Sequence, residues 1–223
     1  MAILKIAILG NPVLRIAAEP VKNIQAPEIQ RLIDDMIETM REYRGIGLAA
    51  PQVHRSLQIA LIEEEEADPR SSKGVSRPLT VLINPRITPV TDQMVEGWEG
   101  CLSIPDLRGK VPRFKEVEVQ AHDRRGRPLQ LKAGDFFARV IQHEMDHLMG
   151  TVFLDRMKGF ETLTYLDEYA RYWARQEASF WSSVPSSPVT ANGSSPGATW
   201  TAGRRWRPPR SGRSRRNAGW TSA

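Results

Sequence analysis

The chain has 223 residues, of which 40% are hydrophobic and 26% charged, a globular balance that excludes collagen-like and wholly disordered chains. One cysteine, Cys101, rules out an internal disulfide, hence a disulfide-stapled secreted scaffold, and fits a reducing compartment. The net charge of +5 resides in the tail, where residues 183–223 carry seven arginines and no Lys, Asp or Glu, leaving residues 1–182 at about −2.

The first apolar run, Ile3 to Leu9, is interrupted by Lys5 and closed by Gly10-Asn11-Pro12. It is too short to cross a membrane and has neither a basic leader nor a small-residue cleavage site, so we expect mature protein with no membrane association. Ile29, Leu32, Ile33, Met36, Ile37 and Met40 recur at helical spacing and predict an amphipathic helix over about 26–43. After it comes a strip of low bulk, Gly45-Ile46-Gly47-Leu48-Ala49-Ala50-Pro51-Gln52. Such a strip lets a backbone pass close to a ligand, with Gln52 supplying an amide donor. It lacks the pattern of a phosphate-binding loop.

Leu57–Ile62 and Leu79–Ile83 read as strands, separated by an acidic stretch over 63–76 that four adjacent glutamates mark as a solvated loop. Val117, Val119 and Ala121 alternate and should pair, through Asp123-Arg124-Arg125-Gly126, with Leu129 and Leu131. Asp135 is placed to cap a second helix running to about Met149 and ended by Gly150. A third helix is expected over about 160–180. Helices interspersed with short, mostly antiparallel strands predict an α+β domain over 1–182, built around the second helix. The tail, 183–223, is rich in Ser, Pro, Gly and Arg and has no periodicity, so disorder is expected. Its arginines suit contact with RNA or the ribosome; the alternative is a passive extension.

The second helix carries Gln142-His143-Glu144-Met145-Asp146-His147. Histidines at i and i+4 share one helical face, so both imidazoles can converge on one cation. Glu144 leaves the helix roughly 100° away, beside the ion and able to carry protons. The other two of the four histidines, His54 and His122, have no such partners and read as surface residues. Catalytic sites generally use three protein ligands, and the candidate third is Cys101 in Glu99-Gly100-Cys101-Leu102-Ser103. A lone cysteine otherwise reads as a small buried hydrophobe.

In order along the chain, Gly45–Gln52, Glu99–Ser103 and His143–His147 match G-x-G-x-A-A-x-Q, E-G-C-x-S and H-E-x-x-H without a substitution. Together they resemble the peptide deformylase family, over about residues 2–180 and from the opening Ile8 to Arg15 onward. The resemblance implies that Cys101, His143 and His147 hold one divalent metal ion, Fe2+ in the usual cellular form, with Zn2+, Ni2+ or Co2+ as substitutes. It implies Glu144 as general base, with Gln52 and the backbone N–H of Leu102 stabilising charge on the formyl oxygen. The implied reaction removes the formyl group from N-formylmethionine at the N-terminus of nascent polypeptides and releases formate. Formylated nascent peptides are then the substrate, ribosome contact is transient, and the setting is bacterial cytoplasm.

The resemblance also implies a substrate strand beside Gly45, Ile46 and Gly47, close to Glu99 and Gly100, and an apolar pocket for the methionine side chain. Ile46, Phe136 and Val140 are candidates for the methionine pocket, with core packing as the other role open to Phe136 and Val140. Arg108 is a candidate for the substrate backbone or a plain surface arginine. Two rivals stand beside this reading. A zinc-dependent peptidase would share H-E-x-x-H but take its third ligand downstream of His147, where Glu161, Glu168 and Glu177 are available. A non-catalytic module would act through the Arg-rich tail.

Overall fold

The computed structural model describes residues 2–64 and 77–174. Helix α1 (Pro27–Glu42) opens with Pro at its first position and Glu28 in its first turn and closes with Arg41, each complementing its end of the helix. All six residues of the predicted apolar face are buried, with Ile33, Met36 and Met40 fully so. Each such side chain contributes about 1.5–3 kcal/mol on leaving water.

Five strands form an antiparallel sheet in the order β1 (Gly47–Ala49), β2 (Ile59–Glu64), β3 (Arg77–Pro89), β6 (Glu116–His122) and β7 (Pro128–Gly134). Alternation along these strands divides the core in two. Leu48, Ile59, Leu61, Val81 and Ile83 pack with α1, whereas Ala49, Ala60, Ile62, Leu82, Val117, Val119 and Ala121 pack with α2 (Asp135–Leu148). Because a helix covers each face, β2 is an unbroken apolar run from Ile59 to Ile62. The hairpin between β6 and β7 turns as expected, with Asp123 Oδ1 accepting from the N–H groups of Arg125 and Arg127, and Gly126 at φ 76°.

A second antiparallel sheet has the order β4 (Met94–Cys101), β5 (Ile104–Phe114) and β8 (Thr164–Tyr165), followed by α3 (Leu166–Tyr172). The architecture is α+β with antiparallel sheets and few helices. No helix among the described residues is long and apolar enough to cross a membrane. All described residues fall in one unit of the chain, Met1–Gly193. The tail over 183–223 lies outside them.

Three local expectations need correction. Gly134, not Asp135, is the cap of α2; Asp135 is its first helical residue, at φ 51°, with its N–H donating to Lys115 O. The third helix begins only at Leu166, because Thr164 and Tyr165 are drawn into pairing with Arg108 and Leu107; its expected end, from 175 on, lies outside the described residues. The acidic stretch does not begin as a loop: Glu63 and Glu64 finish β2, pair with Arg41 and Arg77 respectively, and Glu64 is buried. Residues 65–76 lie outside the described residues.

Candidate metal centre

α2 is buried on nearly every side, between the five-stranded sheet and the β4–β5 hairpin. Its His143 and His147 rings sit one turn apart, with centroids separated by 5.1 Å and planes inclined by 74°. Cys101 arrives from the end of β4, where a tight turn through Leu102 and Ser103 reverses the chain and pairs Cys101 with Ile104. Cys101 Sγ lies 3.2 Å from His147 Nε2, and one ligand atom from each of Cys101, His143 and His147 falls within 4.8 Å of the others. Metal–ligand bonds of ~2.0–2.3 Å require a spacing of this kind between donors.

Cys101 is set up as a thiolate. Burial opposes ionisation, but the facing His147 and His143 outweigh it and hold the thiol well below its ordinary value. Two N–H groups also aim at the sulfur: Ser103 N at 3.4 Å and Gln52 Nε2 at 3.5 Å. Gln52, in the 3-10 turn Ala50–Val53, is oriented by accepting the Ala49 N–H at Oε1, 2.8 Å away. That contact leaves its NH2 directed at Cys101 and at Ser103 Oγ, 3.3 Å away.

Glu144 is 4% exposed, and its Oε2 has no hydrogen-bond partner among the described residues. Burial pushes its carboxyl up to about 7, against the opposing pull of both histidines. The carboxylate rests on Gly47 of β1, where a Cβ would fall 2.8 Å from Glu144 Cδ. An orphaned buried carboxylate oxygen, a stabilised thiolate and two converging imidazoles are the donor set expected of a divalent ion with an exchangeable water, so the residues fit such a group.

His143 is oriented from behind. Its Nδ1–H donates to Glu99 Oε2 at 2.9 Å, leaving Nε2 for the Cys101 side. Glu99 is clamped by Arg113, whose Nε and Nη2 each donate at 2.8 Å, and by Arg139 Nη1 at 2.9 Å. Burial opposes ionisation of Glu99, yet Arg113 and His143 hold its carboxyl far below the usual range. Arg113 Nη1 continues to Asp146 Oδ2 at 2.6 Å, and Arg156 Nη2 reaches Asp146 Oδ1 at 2.6 Å. Glu99, a candidate for the substrate's surroundings, is in this structure the hydrogen-bond partner of His143.

The family model described as Polypeptide deformylase matches residues 3–162. The chain belongs to the polypeptide deformylase family. It is 43% identical over 166 residues to peptide deformylase 1 of Bordetella pertussis, covering 74% of this chain and 92% of that protein. To peptide deformylase 2 of Pseudomonas putida it is 46% identical over 155 residues, covering 69% and 86%. Among solved structures, the Met-Ala-Ser-bound class I type b peptide deformylase of Acinetobacter baumannii superposes with a TM-score of 0.66 at 35% identity, over 70% of this chain and 98% of that one. The actinonin complex of a peptide deformylase from Synechococcus elongatus gives a TM-score of 0.63 at 42% identity, over 70% and 79%.

Around this deformylase-type centre the remaining candidates fall into groups. Ile46, Phe136 and Val140 share the apolar cluster under α2, the first partly buried and the other two buried. Leu102 Cδ1 stands 3.1 Å from where a Gly45 Cβ would be, so the low-bulk strip and the turn after Cys101 pack tightly together. The Arg108 guanidinium lies over Gly100 and donates to its neighbour's carbonyl, Leu107 O, at 2.8 Å. Of the two remaining histidines, His54 is exposed as expected, but His122 is half-buried, and its Nδ1 has no partner among the described residues.

Sequence reasoning missed Arg113, Arg139, Asp146 and Arg156. Arg139 left a trace: it interrupts Phe136-Phe137-Ala138 and Val140-Ile141, and an arginine inside an apolar helix face requires a buried anion.

Proposed function

We propose that this chain removes the formyl group from N-formylmethionine at the N-terminus of nascent polypeptides, releasing formate. The observation carrying this reading is the convergence of Cys101, His143 and His147 beside the unpartnered Oε2 of Glu144. The H-E-x-x-H helix is then the metal-binding element of the fold, with Cys101 Sγ and one nitrogen from each histidine as ligands. A divalent ion held there, Fe2+ foremost and Zn2+, Ni2+ or Co2+ as substitutes, would polarise the formyl carbonyl and make its water acidic.

The protein's own groups do the rest. Glu144 Oε2 accepts the water's proton as the oxygen attacks the formyl carbon, and returns it to the departing amine nitrogen. Gln52 Nε2 and the Leu102 N–H donate to the formyl oxygen as it gains charge, each worth ~3 kcal/mol when well placed. The substrate backbone adds as a strand along Gly45-Ile46-Gly47, beyond β1, the edge strand of its sheet. Its methionine enters among Ile46, Phe136 and Val140, near Gly100, and Arg108 reaches the peptide backbone. The Met-Ala-Ser peptide bound to the Acinetobacter baumannii relative supports a peptide of this kind as ligand. Such substrates emerge from ribosomes in bacterial cytoplasm.

The peptidase reading is weaker, because among the described residues the grouped donors include Cys101 and no glutamate downstream of His147. Incubation with formyl-Met-Ala-Ser and with Met-Ala-Ser tests the choice: formate release from the first is expected, and cleavage within either peptide would refute the assignment. Glu144→Ala should keep its metal and lose at least ~100-fold in rate.

A further inference from the structure

The 3-10 turn Phe153–Arg156, just beyond α2, touches the metal centre by two routes. Phe153 is 1% exposed and lies nearly parallel over the His143 ring, with centroids 6.3 Å apart and planes 23° from each other, in one cluster with Cys101. Three residues on, Arg156 grips Asp146 with Nη2 at 2.6 Å and with Nε at 3.1 Å to each carboxylate oxygen. Asp146 in turn holds Arg113, Arg113 holds Glu99, and Glu99 takes the His143 Nδ1–H. Asp146, Arg113 and Glu99 are each under 10% exposed at the side chain, whereas Arg156 is at 33%. The turn itself is fixed by Asp155, whose Oδ2 accepts the Val152 N–H at 2.9 Å and also pairs with Arg15.

We propose that this turn is a latch on the metal centre. Arg156, through Asp146, Arg113 and Glu99, and Phe153, through its ring, hold His143 in its ligating orientation and so slow loss of the bound ion. The proposal rests on reading Cys101, His143 and His147 as metal ligands. Arg156 is a positioning residue and touches neither ion nor substrate. Its role is geometric: without it Asp146 competes for Arg113 alone, the clamp on Glu99 slackens, and the imidazole gains freedom. A purely electrostatic role has the opposite sign, since removing a cation from behind His143 would strengthen the hold on a positive ion.

The test follows release of Zn2+ from the full-length, zinc-loaded protein into excess chromogenic chelator, independently of turnover. Arg156→Ala should release zinc about 10- to 100-fold faster, the range found when outer partners of ligating histidines are removed. Arg156→Lys should lie between that variant and the unaltered protein. Arg15→Ala, which cuts only the half-exposed pair with Asp155, should stay within about twofold. Should the alanine variant fail to fold by circular dichroism, Arg156→Gln takes its place with the same expectation. Unchanged or slower release from the Arg156 variant, or equal acceleration by Arg15→Ala, overturns the latch. Failure of the unaltered protein to take up zinc, nickel or ferrous iron would instead overturn the metal reading itself.

Discussion

Gly47 is where a single methyl group should separate catalysis from folding. A Cβ built there falls 2.8 Å from Glu144 Cδ and 3.0 Å from Cγ, against an ordinary contact beginning near 3.4 Å, so the carboxylate must retreat by about 0.5 Å or more. It has little room, because Glu144 is 4% exposed on a helix packed on both sides. The backbone at Gly47 is outside the left-handed region, so alanine adds no strain there, and in a strand it loses less entropy than glycine. Gly47→Ala should therefore fold and keep its metal, losing only the cost of overpacking, about 1–3 kcal/mol. A displacement approaching 1 Å costs on the order of 100-fold in a positioned step, so kcat for formate release should fall 10- to 100-fold. Adding Glu144→Asp, which shortens the side chain by one methylene, should cost less in the Gly47→Ala background than alone. A change confined to KM would mean that Gly47 serves substrate pairing only, and strict additivity of the two substitutions would refute the seat.

Further outcomes follow from burial and charge. Met36→Ala, at a fully buried site in the α1 core, should lower unfolding free energy by about 2–5 kcal/mol in urea titrations. Glu99→Gln removes the anion shared by Arg113 and Arg139 and should cost about 3–5 kcal/mol. Because the folded protein holds Glu99 well below the ordinary 4.5, its stabilisation is complete above that pH and is lost as pH falls below it; Glu99→Gln should flatten the acid limb of a stability-against-pH curve. Stripping the metal should lower the melting temperature, with ~4 kcal/mol lost relative to protein held at a thousand times its dissociation constant.

How much of this was legible in the sequence depended on whether one element could carry the signal. The α1 face and the paired histidines of α2 are intrahelical periodicities, and both appear as read. Strands β4 and β5 were invisible because Gly97, Gly100, Gly109, Pro105 and Pro112 suppress strand propensity. Each of those glycines has a cause on another element or strand: Arg139 lies over Gly97, Arg108 over Gly100 and Met157 over Gly109. The charged relay behind His143 joins β4, β5, α2 and the turn after it, residues up to 57 positions apart, so no local window contains it. The acidic run misled for the same reason: the partners that place Glu63 and Glu64 in a strand, Arg41 and Arg77, lie well before and after it.

The spacing of the two motifs that carry the candidate ligands has a geometric reason that neither shows alone. Residues i and i+2 of a strand point to one side about 6.7 Å apart, and residues i and i+4 of a helix share a face about 6 Å apart. Two contacts can therefore form side by side where a strand edge meets a helix. Here Glu99 meets His143 at 2.9 Å and Cys101 meets His147 at 3.2 Å. The intervening Gly100 turns the other way, where the Arg108 guanidinium occupies the space a side chain would need. The pairing register passes from Glu99 opposite Gly109 to Cys101 opposite Ile104, so extra residues of β5 are accommodated at that point without moving the two β4 side chains off α2. A one-residue insertion between Glu99 and Cys101 would leave one of them facing away from the helix. Glu-x-Cys against His-x-x-x-His is thus a match of two repeat lengths, and it explains why the carboxylate that orients one candidate ligand, His143, stands two residues from the cysteine that faces the other, His147.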